Sequence, residues 1–122
     1  MNNRRQTLGR WGEGLAVDYL QAKGYEIVAR NFRTKLGEID LVALEGKSLI
    51  FVEVKTRSSD EFGFPEEAVT RRKQQTLVNC AQAFLMKHPE WGDDWRIDVI
   101  AIRKSAGDAP PEIVHYQDAV SY

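Results

Sequence analysis

The sequence is poor in the residues that form disulfides, thiolate sites and histidine sites. Among 122 residues there are one cysteine and two histidines, Cys80, His88 and His115. A single cysteine cannot form an internal disulfide, and it excludes a cysteine-rich zinc site. The two histidines lie far apart in the chain and lack the spacing of metal ligands. Neither is therefore expected to bind a metal, and Cys80 is expected to be buried on the apolar side of a helix.

Long hydrophobic runs are also absent. The longest apolar stretches, such as residues 49–52, are far too short for a membrane-spanning helix. The basic start of the chain is followed by a segment with glycine and glutamate, where a signal peptide would have its apolar region. The sequence therefore predicts a soluble, cytoplasmic protein with no membrane partner.

Neither sign of charge is in large excess. Seventeen basic and eighteen acidic residues give a net charge of −1, which excludes a polycation that coats nucleic acid. The basic residues nevertheless form small groups, which are either local phosphate contacts or solvated faces. These groups are Arg4, Arg5 and Arg10; Arg30, Arg33 and Lys35; Lys55 and Arg57; and Arg71, Arg72 and Lys73.

The apolar pattern predicts one α/β domain over residues 1–122, with a core at about 9–103. Hydrophobic residues make up 43% of the chain, enough for a real core. Helical spacing predicts helices over residues 8–23 and 70–87, and a loop over 57–66, which contains Phe62 and Phe64, is predicted between the third strand and the second helix. Alternation predicts strands over residues 25–33, 38–44, 48–56 and 95–103, with a short edge strand at 112–116. The order αβββαβ, with that last strand added, indicates one mixed sheet flanked by helices.

The hairpin around Gly46 and Lys47 has a predictable register. If the turn is centred between these residues, opposite positions sum to 93, so Asp40 lies opposite Glu53. One face of the hairpin is then wholly apolar, and the other ends in Asp40, Glu53 and Lys55. The apolar face consists of Ile39, Leu41, Ala43, Ile50, Val52 and Val54.

Two carboxylates and an ammonium at one end of two strands suit metal-assisted phosphodiester hydrolysis. Opposed residues have Cβ atoms about 5 Å apart, so like charges there repel unless a cation lies between them. Mg²⁺ or Mn²⁺ binds one or two carboxylates and keeps waters for substrate phosphates. Lys55 could then orient the attacking water or hold the charge of the phosphate. In the alternative, the hairpin is solvated and Lys55 only neutralises Asp40 and Glu53.

The same residues carry a family resemblance. Gly37-Glu38-Ile39-Asp40, followed by Phe51-Val52-Glu53-Val54-Lys55-Thr56-Arg57, resembles the PD-(D/E)xK nuclease superfamily, with Ile39 in place of the proline. Within it, the chain is most similar to the YraN-like bacterial family, which is related to archaeal Holliday-junction resolvases. The resemblance covers residues 9–102 and includes the segments 12–16 and 67–70.

That resemblance implies a restriction-endonuclease-like fold and a divalent-metal-dependent endonuclease. In the superfamily, the residues that match Asp40 and Glu53 bind Mg²⁺ or Mn²⁺, and the one that matches Lys55 assists catalysis. Resolvases also use a helix glutamate, which matches Glu13, so the resemblance implies that Glu13 is a catalytic residue that helps to hold the metal or water. A glutamate at this boundary position would by itself be expected to be solvated. The implied substrate is DNA or a branched nucleic acid. In the alternative, the chain is a catalytically inactive module that binds nucleic acid or protein.

Further polar residues surround the predicted site. Lys73 and Gln74 lie on the apolar side of the second helix, in its first turn, where polar groups need partners. They either point back at the strand ends, toward a metal or phosphate, or the lysine extends to water and the glutamine caps a strand. Arg57, Arg71 and Arg72 are candidates for contacts with a nucleic-acid backbone.

Two remaining expectations concern the C-terminal third of the chain. Asp98 is expected at the surface or in a local salt bridge. The C-terminal edge strand at 112–116 could serve as the surface of a homodimer, because an exposed edge presents unpaired backbone groups.

Overall fold

The computed structural model describes residues 4–58, 69–91 and 94–120. The predicted order of elements is confirmed, although the first helix begins before residue 8. Residues 59–68, which include Phe62, Phe64 and part of the matched segment 67–70, lie outside the described residues. The elements are α1 (Arg4–Ala22), β1 (Glu26–Thr34), β2 (Gly37–Glu45), β3 (Ser48–Arg57), α2 (Arg71–Lys87), a short 3-10 helix (Pro89–Trp91), β4 (Trp95–Arg103) and β5 (Glu112–Tyr116).

The five strands form one mixed sheet, as predicted. Their order in the sheet follows the chain, β1-β2-β3-β4-β5. The pair β3–β4 is parallel and the other pairs are antiparallel. Because parallel neighbours need a crossover connection, α2 lies between β3 and β4 in the chain. The edge strands of the sheet are β1 and β5.

Each face of the sheet packs against one helix. On the α1 face, Leu41, Ile50 and Ile100 pack with Ala16 and Leu20. On the other face, strand residues pack against α2 in a cluster that contains Phe51, Ile97, Leu77, Cys80 and Phe84. Cys80 is buried, as expected. No helix in the ranges 4–58, 69–91 and 94–120 has both the length and the apolarity needed to cross a membrane.

Gly12 allows α1 to pack closely on β3. A Cβ atom at this position would overlap the side chain of Thr56, whereas a Cβ at Gly14 would meet nothing within 4 Å. Glycine in a helix costs about 1 kcal/mol relative to alanine. The close approach to Thr56 therefore explains Gly12, and no contact in the structure explains Gly14.

Gly12→Ala should destabilise the protein. The new methyl group would collide with Thr56, a β-branched side chain that cannot move away freely, at a cost of about 1–3 kcal/mol. Gly14→Ala is the matched control, because it adds the same group to open space and should stabilise α1 by about 0.5–1 kcal/mol. Urea unfolding of both variants tests this contrast, and equal effects at the two positions would contradict it.

Asp98 is fully buried, so the surface alternative was wrong, whereas the alternative of a local salt bridge is confirmed by the ion pair with Arg96. It accepts hydrogen bonds from Arg96 Nε (2.9 Å), His115 Nε2 (2.7 Å) and the backbone N–H of Asp118 (2.9 Å). The guanidinium of Arg96 also donates to Tyr25 Oη at 3.0 Å. Burial alone would raise the pKa of Asp98, but the hydrogen bonds from His115, Arg96 and Asp118 lower it below the usual value. This network ties β4 to β5 and to the start of β1.

Asp98→Asn should therefore destabilise the protein strongly. Removing one partner of a buried charged network costs about 3–5 kcal/mol. Because the pKa of Asp98 is depressed in the folded state, its contribution is present above about pH 4 and is lost as the pH falls below that value. Urea unfolding at pH 3 and pH 7 measures both effects. Asp108→Asn, at an exposed loop residue, is the control, and an Asp98→Asn loss no larger than the control's would contradict the network's role.

Candidate functional site

The β2–β3 hairpin has the predicted register near its turn and departs from it at Asp40. Pairs from Glu45↔Ser48 to Leu41↔Val52 all sum to 93, but the ladder ends there. The expectation that Asp40 pairs directly with Glu53 in the ladder was wrong. Instead, Asp40 Oδ2 accepts a hydrogen bond from the backbone N–H of Val54, at 2.8 Å. The carboxyl group of Asp40 thus takes the place of a backbone acceptor at the end of the hairpin.

Near Asp40, the side chains of β1 and β2 switch from one face of the sheet to the other. Leu41 packs on the α1 face, whereas Ile39 belongs to the α2 cluster, as does its β1 neighbour Phe32. The predicted apolar face that included Ile39 was therefore wrong at that residue. Asn31, which precedes Phe32, has a φ of +53°, and this left-handed conformation provides the turn. Asparagine tolerates this conformation, so Asn31 inside a strand pattern was the signal that could have indicated the irregularity.

The carboxyl groups of Asp40 and Glu53 form a buried pair. Glu53 is 4% exposed. Burial, and then the hydrogen bond and negative charge of Glu53, raise the pKa of Asp40 to about 9, although the N–H of Val54 acts in the opposite direction. A raised pKa of this size keeps Asp40 protonated at neutral pH in the absence of a bound metal ion.

Lys73 approaches the pair from the first turn of α2. Its Nζ lies 3.0 Å from Glu53 Oε2, so it points at the strand ends. Burial alone would lower the pKa of Lys73, but the charge of Glu53 raises it. The ammonium forms an ion pair with Glu53 Oε2, and this buried oxygen has no well-aligned hydrogen bond. A buried acceptor without a hydrogen bond is costly, and it is suited to an additional cation.

Lys55 lies two residues after Glu53 in β3, and both side chains point to the α2 face. It is half-buried. Within the described ranges, no carboxylate lies at ion-pair distance from its ammonium group. The sequence alternative, in which Lys55 neutralises Asp40 and Glu53, therefore does not describe this geometry: Lys73 takes that position.

Glu13 belongs to a separate polar group on the α1 face. With its amide oriented to satisfy both acids, Asn31 donates to Glu38 Oε1 at 3.1 Å and to Glu13 Oε1 at 3.3 Å. Burial, and then the charge of Glu38, raise the pKa of Glu13, while the charge of Arg30 lowers it. In the part of the chain that the structure describes, no three His, Cys, Asp or Glu side chains are placed to hold one metal ion. Glu13 is thus near the carboxyl pair but does not join it in a three-residue metal site.

The two-carboxylate arrangement fits a divalent cation of the magnesium type. Such an ion binds through one or two carboxylates and keeps several waters, so it does not need a closed protein cage. Asp40 and Glu53 supply those carboxylates, and Glu53 Oε2 is the acceptor that has no hydrogen bond. The donor set consists of oxygens alone, which favours Mg²⁺ or Mn²⁺ over zinc.

The remaining basic candidates lie around the start of α2. Thr70 is the N-cap of this helix, and its side chain accepts a hydrogen bond from Lys73 N. Arg71 and Arg72 are exposed in the first turn, which contains no acidic residue. Arg57 ends β3, the strand that carries Glu53. The N-terminus of a helix carries a partial positive charge, so cationic side chains there are unfavourable and a bound anion is favourable.

The site lies within a segment that matches a known family. The model of the uncharacterised protein family UPF0102 matches residues 12–102, which contain every candidate site residue given above. The chain belongs to the UPF0102 family. This is the YraN-like group of the restriction-endonuclease-like superfamily, so the family predicted from the two motifs is confirmed.

Relatives from several bacteria match most of the chain, and each is described as a UPF0102 protein. The relative from Chlorobium limicola is 45% identical over 88% of this chain and 84% of its own length. The relative from Syntrophotalea carbinolica is 43% identical over 98% of this chain and 95% of its own length. That from Alkaliphilus oremlandii is 49% identical over 79% of this chain and 84% of its own length.

Among solved structures, one that aligns is described as the structure of Pyrococcus furiosus SfsA in complex with Ca²⁺. The alignment has a TM-score of 0.41 and a sequence identity of 16%. It covers 97% of this chain and 65% of that chain, so this chain spans just under two thirds of its length.

The raised pKa of Asp40 predicts an unusual dependence of stability on pH. Because the pKa of Asp40 is raised in the folded state, its stabilising contribution is complete below about pH 4 and is lost as the pH rises toward 9. When a chelator removes divalent metal ions, the free energy of unfolding of the Asp40→Asn variant should fall less with rising pH than that of the unsubstituted protein. The difference in slope is at most about 1.4 kcal/mol per pH unit.

Urea unfolding between pH 5 and pH 9 measures this difference. Asp18→Asn removes a carboxylate from an exposed position of α1 and should leave the slope unchanged. Parallel pH profiles for Asp40→Asn and the unsubstituted protein would show that Asp40 carries no extra proton in the folded state.

Proposed function

We propose that the chain is a divalent-metal-dependent endonuclease that hydrolyses phosphodiester bonds of DNA or branched nucleic acid in the cytoplasm. The observation that carries the proposal is the buried pair of Asp40 and Glu53. One acceptor of this pair lacks a hydrogen bond, and Lys55 lies beside it without an ion-pair partner among the described residues. The order of the elements and the UPF0102 match support the same conclusion.

Each residue of the site has a chemical role in this proposal. Asp40 and Glu53 hold Mg²⁺ or Mn²⁺, which when bound supplies Lewis-acid activation of phosphate and water. Lys55 holds the charge that develops on the scissile phosphate or orients the attacking water. Glu13, on the α1 side with Asn31 and Glu38, acts through water rather than as a direct metal ligand.

Nucleic acid is proposed to reach the site along the start of α2. Arg57, Arg71 and Arg72 contact backbone phosphates, and the N-terminus of α2 adds its partial positive charge. With a net charge of −1, the protein relies on this local basic surface rather than on overall attraction.

The second candidate function is a binding module without catalysis. The position of Lys73 favours it, because an ammonium 3.0 Å from Glu53 Oε2 can neutralise the pair without a metal. The lack of a three-residue acidic cluster among the described residues favours it as well. The two candidates differ in one property: a nuclease must bind Mg²⁺ or Mn²⁺ through Asp40 and Glu53.

Cleavage of duplex, flap and four-way-junction DNA in Mg²⁺ or Mn²⁺ tests the proposal. We expect Asp40→Asn to lose cleavage and Lys55→Ala to slow it by about 10²–10³-fold, because each removes a group that acts on the reacting phosphate. Lys47→Ala, in the exposed turn at the other end of the hairpin, is the control and should cleave normally. Melting curves establish that each variant is folded.

Folded protein that cleaves none of these substrates, and that Mn²⁺ does not stabilise, would contradict the nuclease and favour the binding module.

The variant Lys73→Met separates the two candidate functions further. If Lys73 only shares Glu53 with a metal, this variant should bind Mn²⁺ more tightly than the unsubstituted protein. If Lys73 replaces the metal, the variant should be destabilised and should still not respond to Mn²⁺.

Arg72→Glu should raise thermal stability and weaken nucleic-acid binding. An acidic residue suits the positive end of the helix dipole, which is worth about 0.3–1 kcal/mol, but it removes a proposed phosphate contact. Lys47→Glu makes the same change of charge far from the site. Melting curves and DNA-binding titrations at two salt concentrations compare the variants. Equal losses of affinity in both would indicate overall charge rather than a local contact.

A further inference from the structure

A cavity of about 500 Å³ lies beside the carboxyl pair on the α2 face of the sheet. Its floor includes Val99, which is the neighbour of Glu53 in the parallel β3–β4 ladder. Its wall includes Gln74, the residue that follows Lys73. The cavity therefore borders the proposed active site directly. The described residues that line it are Val69, Gln74, Val99, Tyr116, Gln117 and Ala119.

The lining suits a flat, neutral group with hydrogen-bonding edges. The described part of the lining has one aromatic ring, Tyr116, two side-chain amides, and otherwise aliphatic groups. Among the described residues that line it, none is a lysine, arginine or carboxylate, so these residues offer no charged contact to a phosphate. Gln74 Nε2 donates to Val69 O at 3.2 Å, which fixes this amide and leaves its oxygen for a ligand.

The cavity lies about one nucleotide length from the carboxyl pair at which the scissile phosphate is proposed to bind. Val99 pairs with Glu53 on one side and with Tyr116 on the other, so the three residues form one row across the sheet. Two strand spacings, about 10 Å, separate β3 from β5. A single nucleotide spans this distance between its phosphate and the far edge of its base.

We propose that the cavity is a base subsite that receives one unpaired nucleobase next to the scissile phosphate, stacked on Tyr116 and hydrogen-bonded by Gln74 and Gln117. This inference rests on the proposed function and narrows it. A base inside a continuous duplex is stacked on both faces and paired at its edge, so it cannot enter. The substrate class is therefore a nucleic acid with an unpaired nucleotide at the cleavage position, such as a single strand, flap or junction.

A double-mutant cycle between protein and ligand tests the subsite. The ligands are duplexes with one bulged nucleotide, made with the base present or with an abasic residue in its place, in DNA and in RNA. Binding is measured by fluorescence anisotropy in EDTA, so that no strand is cut. In the unsubstituted protein, loss of the base should weaken binding about ten-fold, the size expected for one stacked base.

Tyr116→Ala should weaken binding of the base-bearing bulge by about the same factor and should leave the abasic ligand unaffected. Tyr116→Phe keeps the ring and should retain most of the affinity. Val114→Ala, two residues earlier in the same edge strand, is the control for any change in β5. Gln117→Leu, at an exposed position that tolerates substitution, should weaken the base-bearing ligand several-fold and leave the abasic one unchanged.

Equal affinity for base-bearing and abasic ligands, or an equal effect of Tyr116→Ala on both, would overturn the subsite. So would failure to bind any DNA or RNA probe. Because the cycle measures binding without cleavage, its result is separate from that of the nuclease assay. If binding depends on the base and on Tyr116 but no substrate is cleaved, the subsite is supported in a binding module. If substrates are cleaved but binding does not depend on the base, the subsite alone is overturned.

Discussion

Two carboxyl groups at the ends of β2 and β3 are held where water cannot solvate two negative charges. Asp40 inserts between the strands and accepts from Val54 N, and Glu53 is buried under α2. Their mutual repulsion must be relieved by a proton, by Lys73 or by a metal ion. Much of the local structure follows from this requirement, because both helices and the end of the hairpin meet at this point.

The irregular end of the sheet is the structural consequence of that pair. A regular ladder would point Asp40 to one face of the hairpin, opposite Glu53. The left-handed residue Asn31 and the change of face at Asp40 instead bring the carboxyl group to the edge of β3. On the α1 side, Asn31 also donates to Glu13 and Glu38, so one residue bridges the irregular strand and the second acidic group. Gly12 permits this approach of α1, since any side chain there would collide with Thr56.

The sequence predicted the order of the elements, the mixed sheet and the hairpin register, because alternation and turn chemistry act locally. It did not predict that Asp40 leaves the ladder, since that depends on contacts between β1, β2 and β3 at once. The burial of Asp98 was not predicted for a different reason. Ile97 and Val99 lie on one face of β4 and Asp98 and Ile100 on the other, and both faces of this central strand are covered. An aspartate inside such a run has to be buried and paired, here with Arg96 and His115, and that inference was available from the pattern.

We propose that Asp40, whose pKa is raised beside Glu53, carries a proton that a divalent cation displaces. Titration calorimetry with Mn²⁺ at pH 7, repeated in buffers of different ionisation enthalpy, counts the protons released on binding. We expect release of about one proton per ion in the unsubstituted protein, and none in folded Asp40→Asn. Binding of Mn²⁺ without proton release, or equal release in both proteins, would contradict it.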